Sequence, residues 1–271
     1  MTLANGLTKL AFVRRSAFLI LVIAAGLIGL ALIAVPGATS EFFAWGLAPE
    51  PLTAFCGGAY IGAAAAYAAA LPRPAGQVRG MVAGAIVLSL SVLVITLTHT
   101  DQFDFDRLQA VVWLILFFAF PLVMFGLFLF EREPEEPDSR LPAWARAVLG
   151  SVAVLGAVLA LALWIDPTAL SGPCPFELPP LGGRFAGSWV ATLSVVCGWA
   201  AIRDRADEVR LSALLLITLP AGALAAALRT IDQLEPAGAA AVYLTVLVLL
   251  VLCGALVARR LQITDQPASR A

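Results

Sequence analysis

Apolar residues follow one another along this chain in long unbroken runs, without the period of 3.6 that marks an amphipathic helix or the alternation of a half-buried strand. Eight such runs carry no charged side chain, near residues 16–35, 52–71, 81–98, 108–130, 147–165, 185–202, 211–228 and 236–258. Each comes close to the ~20 residues an α-helix needs to cross about 30 Å of hydrocarbon. Spanning β-strands are excluded, because they would show short segments of alternating polarity where these runs are continuous and rich in Ala and Leu. The pattern predicts an all-α integral membrane fold with eight transmembrane helices. Pro121 and Pro220 fall inside the fourth and seventh runs, where each removes a backbone donor and is expected to kink its helix.

Composition agrees: 61% of the residues are hydrophobic and 13% charged, against roughly half and a quarter in soluble domains. The formal net charge of −1 says little about partners; the division of Lys and Arg between alternate connections says more. Lys9, Arg14, Arg15, Arg73, Arg79, Arg132, Arg140, Arg146, Arg203, Arg205, Arg210, Arg259, Arg260 and Arg270 fall on one side, and Arg107, Arg184 and Arg229 on the other. That excess predicts that the N-terminus and C-terminus are both cytoplasmic. The first run, preceded by Lys9, Arg14 and Arg15, is longer than the 7–15 residues of a secretory signal core and is read as a span.

A shift of 130 residues superimposes the spans of the two halves: Phe55 meets Phe185, Gly57 meets Gly187, Arg73 meets Arg203, Thr100 meets Thr230, and Trp113 meets Tyr243. The expected organisation is a first four-helix repeat over 1–130, an acidic, Pro-containing cytoplasmic linker over 131–146, and a second repeat over 147–271 with a short C-terminal tail. With an even number of helices in each, the repeats are parallel. The linker reads as a solvated hinge. Gly58 and Gly62, and again Gly80 and Gly84, form GxxxG patterns that let helix backbones approach closely, either within the chain or in a homo-oligomer. The six tryptophans fall near the predicted membrane interfaces, where amphipathic rings act as anchors.

Ionisable groups inside a membrane commonly mark proton relays and ion pathways, and no span interior holds one. A proton pump with an intramembrane carboxylate is therefore not expected. A single histidine excludes bis-histidine haem and HExxH zinc sites, and no phosphate-binding glycine loop occurs. No cofactor and no nucleic-acid partner are expected. One polar constellation remains in the connection after the third span: His99, Asp101, Asp104 and Asp106 lie within eight residues. Imidazole and carboxylate oxygens suit a divalent metal, with His99, Asp101 and Asp104 as its ligands. The alternative is a hydrated turn whose acids cap the fourth helix. The aligned second-half segment carries Arg229 and Asp232, and Arg229 would be placed to pair with Asp101, Asp104 or Asp106 across the outer face.

Of four cysteines, Cys56 and Cys174 lie on the outer side, where a disulfide is permitted; Cys197 and Cys253 are packing residues within spans. The outer loops 36–51 and 166–183 mix aromatics, prolines and acids, and can lie on the membrane or lid a cavity between the repeats.

At Phe55-Cys56-Gly57-Gly58-Ala59-Tyr60 and at His99 to Phe105, followed by Trp113, the chain resembles uncharacterised multi-pass membrane proteins of bacterial genomes. The resemblance covers mainly the second to fourth spans and implies no functional residue. Ala-rich usage also looks bacterial, which makes the membrane the cytoplasmic (inner) one. The leading expectation is a non-enzymatic protein that binds or transports a small neutral or lipophilic molecule between its repeats, in contact with the lipid bilayer. Two alternatives stand beside it: a structural or accessory subunit docked on a partner membrane protein, and a metal-dependent membrane enzyme working at the outer face through His99.

Overall fold

A computed structural model describes residues 3–131, 140–203 and 205–264. Its long helices are α1 (Leu3–Ala34), α2 (Glu50–Ala70), α3 (Ala75–Thr98), α4 (Leu108–Phe130), α5 (Ala143–Ile165), α6 (Pro180–Arg203), α7 (Ala206–Arg229) and α8 (Ala237–Thr264). Among the described residues all eight are long and apolar enough to cross a membrane. The chain is a multi-pass helical membrane protein.

Several helices start at proline, whose missing N–H falls where a helix has no intrahelical acceptor to offer. Pro49 and Pro51 open α2, Pro74 precedes α3, Pro142 precedes α5, and Pro180 begins α6. The helices of the odd-numbered set begin before the charge-free windows do. α3 starts at Ala75 and α7 at Ala206, because backbone hydrogen bonding continues through charged residues, Arg79 in the one and Asp207 and Glu208 in the other, that the hydropathy pattern excludes.

Burial sorts the helices into two classes. In α2 78% of the most apolar window is buried, and α3, α6 and α7 follow at 56–61%; α1 and α4 bury 28%, and α5 and α8 only 17%. The first four form the centre and the last four face lipid. Neighbours follow a regular scheme: α1 packs on α2 and α5 on α6; α3 packs on α4 and α7 on α8; α2 packs on α7 and α3 on α6.

Glycine sets the closest of these approaches. A Cβ on Gly58 would run into the Gly222 carbonyl, and one on Gly222 into that of Gly58; Gly62 lies equally close to the backbone at Thr218 and Leu219. The Thr218 hydroxyl donates to Gly62 O at 2.7 Å across the same contact. Gly80 and Gly84 face Trp199 and Val196 of α6. Both GxxxG faces are therefore spent inside the chain. Pro121 and Pro220 are buried within continuous helices.

Candidate functional site

The connections 35–49, 99–107, 166–179 and 230–236 gather at one end of the bundle, tied by contacts that cross between them. Arg107 donates to Ser40 O and, at 2.7 Å, to Glu41 O; Gln233 Nε2 donates to Glu50 Oε2 at 3.1 Å, and the Glu235 amide to Pro175 O at 2.9 Å.

The polar residues singled out in the sequence lie at this end without converging. His99 Nε2 sits 3.0 Å from Nη1 of Arg184. Arginine has only donors, so this nitrogen accepts, and Nδ1 carries the proton toward Ile95 O at 3.1 Å and Thr98 Oγ1 at 3.0 Å. Asp101 accepts from Gln102, and Asp104 accepts the Asp106 amide in its own loop. Asp101, Asp104, Asp106 and Asp232 are exposed. Among the described residues no three His, Cys, Asp or Glu side chains come together as a metal site would require. Nor do the acids cap α4, which begins after Arg107 with no side-chain cap.

Arg229 takes partners other than those acids. It donates to Ile33 O and, at 2.9 Å, to Ala34 O, the last carbonyls of α1. Those carbonyls have no intrahelical donor and sit at the negative end of the helix dipole, so a guanidinium satisfies both needs. Arg184 does the same for α5: Nε donates to Trp164 O at 2.9 Å while Nη1 holds His99.

The loop 35–49 is a plug. Phe43, Ala44, Trp45 and Leu47 are all buried. Its return is held by Thr39, whose hydroxyl donates to Leu47 O and accepts the Leu47 amide, and by Thr53, which donates to the same carbonyl at 2.8 Å. Trp45 packs edge-on against Trp113 at 5.1 Å and Phe185 at 5.2 Å. The aromatic chain continues through Phe185 to Trp189 and Tyr60. Trp45, Trp113 and Trp189 are therefore core residues, and the interface-anchor reading fails for them: large rings pay more when buried against each other than at the membrane surface. In the second half Phe176 of loop 166–179 docks edge-on upon Tyr243 at 5.6 Å.

A lateral crevice of about 60 Å³ lies where this aromatic chain ends. Its walls are Ile20, Ala24 and Ile28 of α1 and Leu116, Phe117 and Phe120 of α4; Ala85 and Ser89 of α3 form its floor, and Tyr60 and Trp189 its inner end. These positions are near the middle of their helices, so the crevice sits at hydrocarbon depth. The Ser89 hydroxyl is spent on Ala85 O at 2.7 Å. Trp189 Nε1 is buried with no hydrogen-bond partner.

A wider cup of about 260 Å³ opens between the loops, lined by Pro49, Pro51, Ser171, Cys174, Glu177 and Glu235 among others. Burial pushes the Cys174 thiol up, which disfavours the thiolate that nucleophilic chemistry uses. All four cysteines are free thiols, Cys56 buried and Cys174 half-buried.

At the opposite end, where α1 begins and α8 ends, Arg14 of α1 meets Glu131 after α4 at 2.6 Å, both nearly inaccessible. Arg14 also donates to Arg73 O, and Arg79 to Glu131 O at 2.7 Å. Burial raises the Glu131 carboxyl above its ordinary value, with Arg14 pulling the other way. Residues 132–139 of the proposed linker lie outside the described residues, but Glu131, its first residue, is packed into the protein and no part of a solvated hinge. In the second half Arg205 pairs with Glu208 at 3.3 Å, and Glu208 accepts from Trp199 Nε1 at 2.6 Å.

Two features escape a linear reading. The Arg14–Glu131 pair spans 117 residues, and the crevice arises only where small α3 side chains meet residues of α1 and α4. Comparison with protein-family models, with curated proteins and with solved structures finds no match in any of the three.

Proposed function

We propose that this is a protein of the bacterial cytoplasmic membrane, with both termini in the cytoplasm, that binds a lipophilic molecule entering sideways from the bilayer between α1 and α4. One observation carries the reading: an apolar crevice at hydrocarbon depth, open toward lipid and floored by small residues. Such a space is continuous with acyl chains, so a lipophile exchanges into it without crossing water.

Two parallel four-helix units are the framework we infer. The reciprocal packing of α2 on α7 and of α3 on α6 supports a pseudo-twofold relation along the membrane normal. So does the matched role of Gly57, which faces Leu32 and Ile33 of α1, and Gly187, which faces Leu163 and Trp164 of α5. The binding position differs from a cavity midway between the units: it lies in the first unit, with Trp189 of the second closing its inner end.

Native mass spectrometry of protein extracted gently from its own membrane tests the proposal, with Ala85→Leu as the blocked control. Wild type is expected to retain an apolar molecule that the variant lacks. Equal retention, or none in either, would remove the crevice from consideration, and a stable hetero-complex in the same spectrum would favour an accessory subunit.

A further inference from the structure

At the end of the bundle where α1 begins and α8 ends, the two halves of the chain close their lipid-facing helices differently. In the first half the buried Arg14–Glu131 pair joins α1 to the chain just after α4. The positions 130 residues on are Trp144 and Leu261, so the second half has neither the cation nor the carboxylate of that lock. Charge returns close by, and with one sign only. Leu10 and Phe130 of the first half correspond to Arg140 and Arg260, and these two arginines line a small groove whose apolar part includes Leu141, Ala145, Val257 and Leu261. Among the described residues no carboxylate lines it.

The groove lies at the edge of the hydrocarbon, because the α5 span begins at Ala143 and the α8 span ends at Leu261. It faces outward: α5 and α8 are the two least buried helices, and both arginines are exposed. α5 opens with no side-chain cap on its first amides, and the positive end of its dipole favours an anion. Beside it Trp144 is 41% exposed, a ring at the depth where such rings meet lipid head groups.

We propose that this groove holds the phosphate of an anionic phospholipid, so that a lipid closes α5 on α8 as Glu131 closes α4 on α1. Guanidinium groups take phosphate oxygens in bidentate fashion, and Leu141, Val257 and Leu261 offer an apolar wall to the glycerol and the first methylenes. A zwitterionic lipid brings its own cation to the two arginines and gains less. A soluble phosphate gains nothing from the wall.

The groove shares no residue with the crevice between α1 and α4, so either can fail without the other. Delipidated full-length protein in detergent is titrated with phosphatidylglycerol and with phosphatidylcholine of the same acyl chains, and bound lipid is read by native mass spectrometry. Phosphatidylglycerol is expected to bind about twentyfold more tightly, each arginine contributing about fivefold. Arg140→Gln and Arg260→Gln should each cut the preference about fivefold, and the double variant should bring the two lipids level. Both side chains are exposed, so the variants are expected to fold. Arg15→Gln, which removes an exposed cation from the same end but outside the groove, should leave the preference unchanged, and excess inorganic phosphate should not displace the lipid. Equal binding of the two lipids by wild type, or a preference that survives the double variant, overturns the proposal. An equal loss in Arg15→Gln overturns it too, by showing that diffuse surface charge is enough. Displacement by inorganic phosphate overturns the lipid assignment in favour of a soluble anion.

Discussion

The two halves of the chain offer the bilayer different floors. In the first, Ala85 and Ser89 lie beneath the gap between α1 and α4; 130 residues on, the same positions are Leu215 and Leu219, both buried. The duplicated scaffold we propose needs its helix contacts in both copies, but the proposed binding space in only one. Side-chain volume at two positions of one helix is enough to make that difference. The lesson extends to charge. Arg14 and Glu131 join α1 to the end of α4 below the crevice, whereas Arg205 and Glu208 make their pair within a single turn at the start of α7.

The largest effect is expected from the ion pair. Arg14→Ala leaves Glu131 buried without its partner and should cost about 3–5 kcal/mol, read as a fall in thermal midpoint in detergent; Arg205→Ala, whose contacts are local, should cost less. Equal losses would show that the two pairs play the same part.

Next comes Leu215→Ala, which should cost about 2–5 kcal/mol through the cavity it leaves. The reverse exchange, Ala85→Leu with Ser89→Leu, should cost under ~1.5 kcal/mol because the crevice has room for the added carbons, while ligand retention is lost. A strongly destabilised double variant would mean that the floor is already full.

Acid titration sharpens the contrast between the ion pairs. Because burial raises the folded-state value of Glu131, the folded protein holds its proton more tightly than the unfolded chain does. Stability from this group is therefore full at low pH and declines as pH rises from about 4.3, the ordinary Glu value, toward the raised one. In Glu131→Gln that slope should disappear; a slope of unchanged size would place its origin elsewhere.

The smallest effect concerns the half-buried His99. His99→Ala removes one acceptor from Arg184 but leaves its bond to Trp164 O, so a loss of about 0.5–1.5 kcal/mol is expected. His99→Gln, which can still accept, should recover part of it.

The spans were legible because twenty uncharged residues have few alternatives in a chain of this composition. The role of Gly58 and Gly62 as packing positions was legible too, since absence of a side chain states its own consequence. The site was not. Ala85 and Ser89 read as ordinary members of an apolar run, and nothing local says that α1 and α4 leave a crevice over them. Trp45 lies in a loop and Trp113 near a helix start, so each looked like an interface residue until the plug turned them inward. Glu131 opens a run of acids and prolines, and its neighbours in sequence concealed its partner in space. His99 drew notice for its carboxylate neighbours, while the group it meets, Arg184, is 85 residues away.

The contact between Gly58 and Gly222 also constrains how the molecule can move. Two helices touching backbone to backbone have no side-chain layer to act as a bearing, so α2 and α7 cannot slide over one another without first separating there. The helices with the fewest buried contacts, α1, α4, α5 and α8, stand outside that contact, so the sideways entry we propose between α1 and α4 asks nothing of the centre.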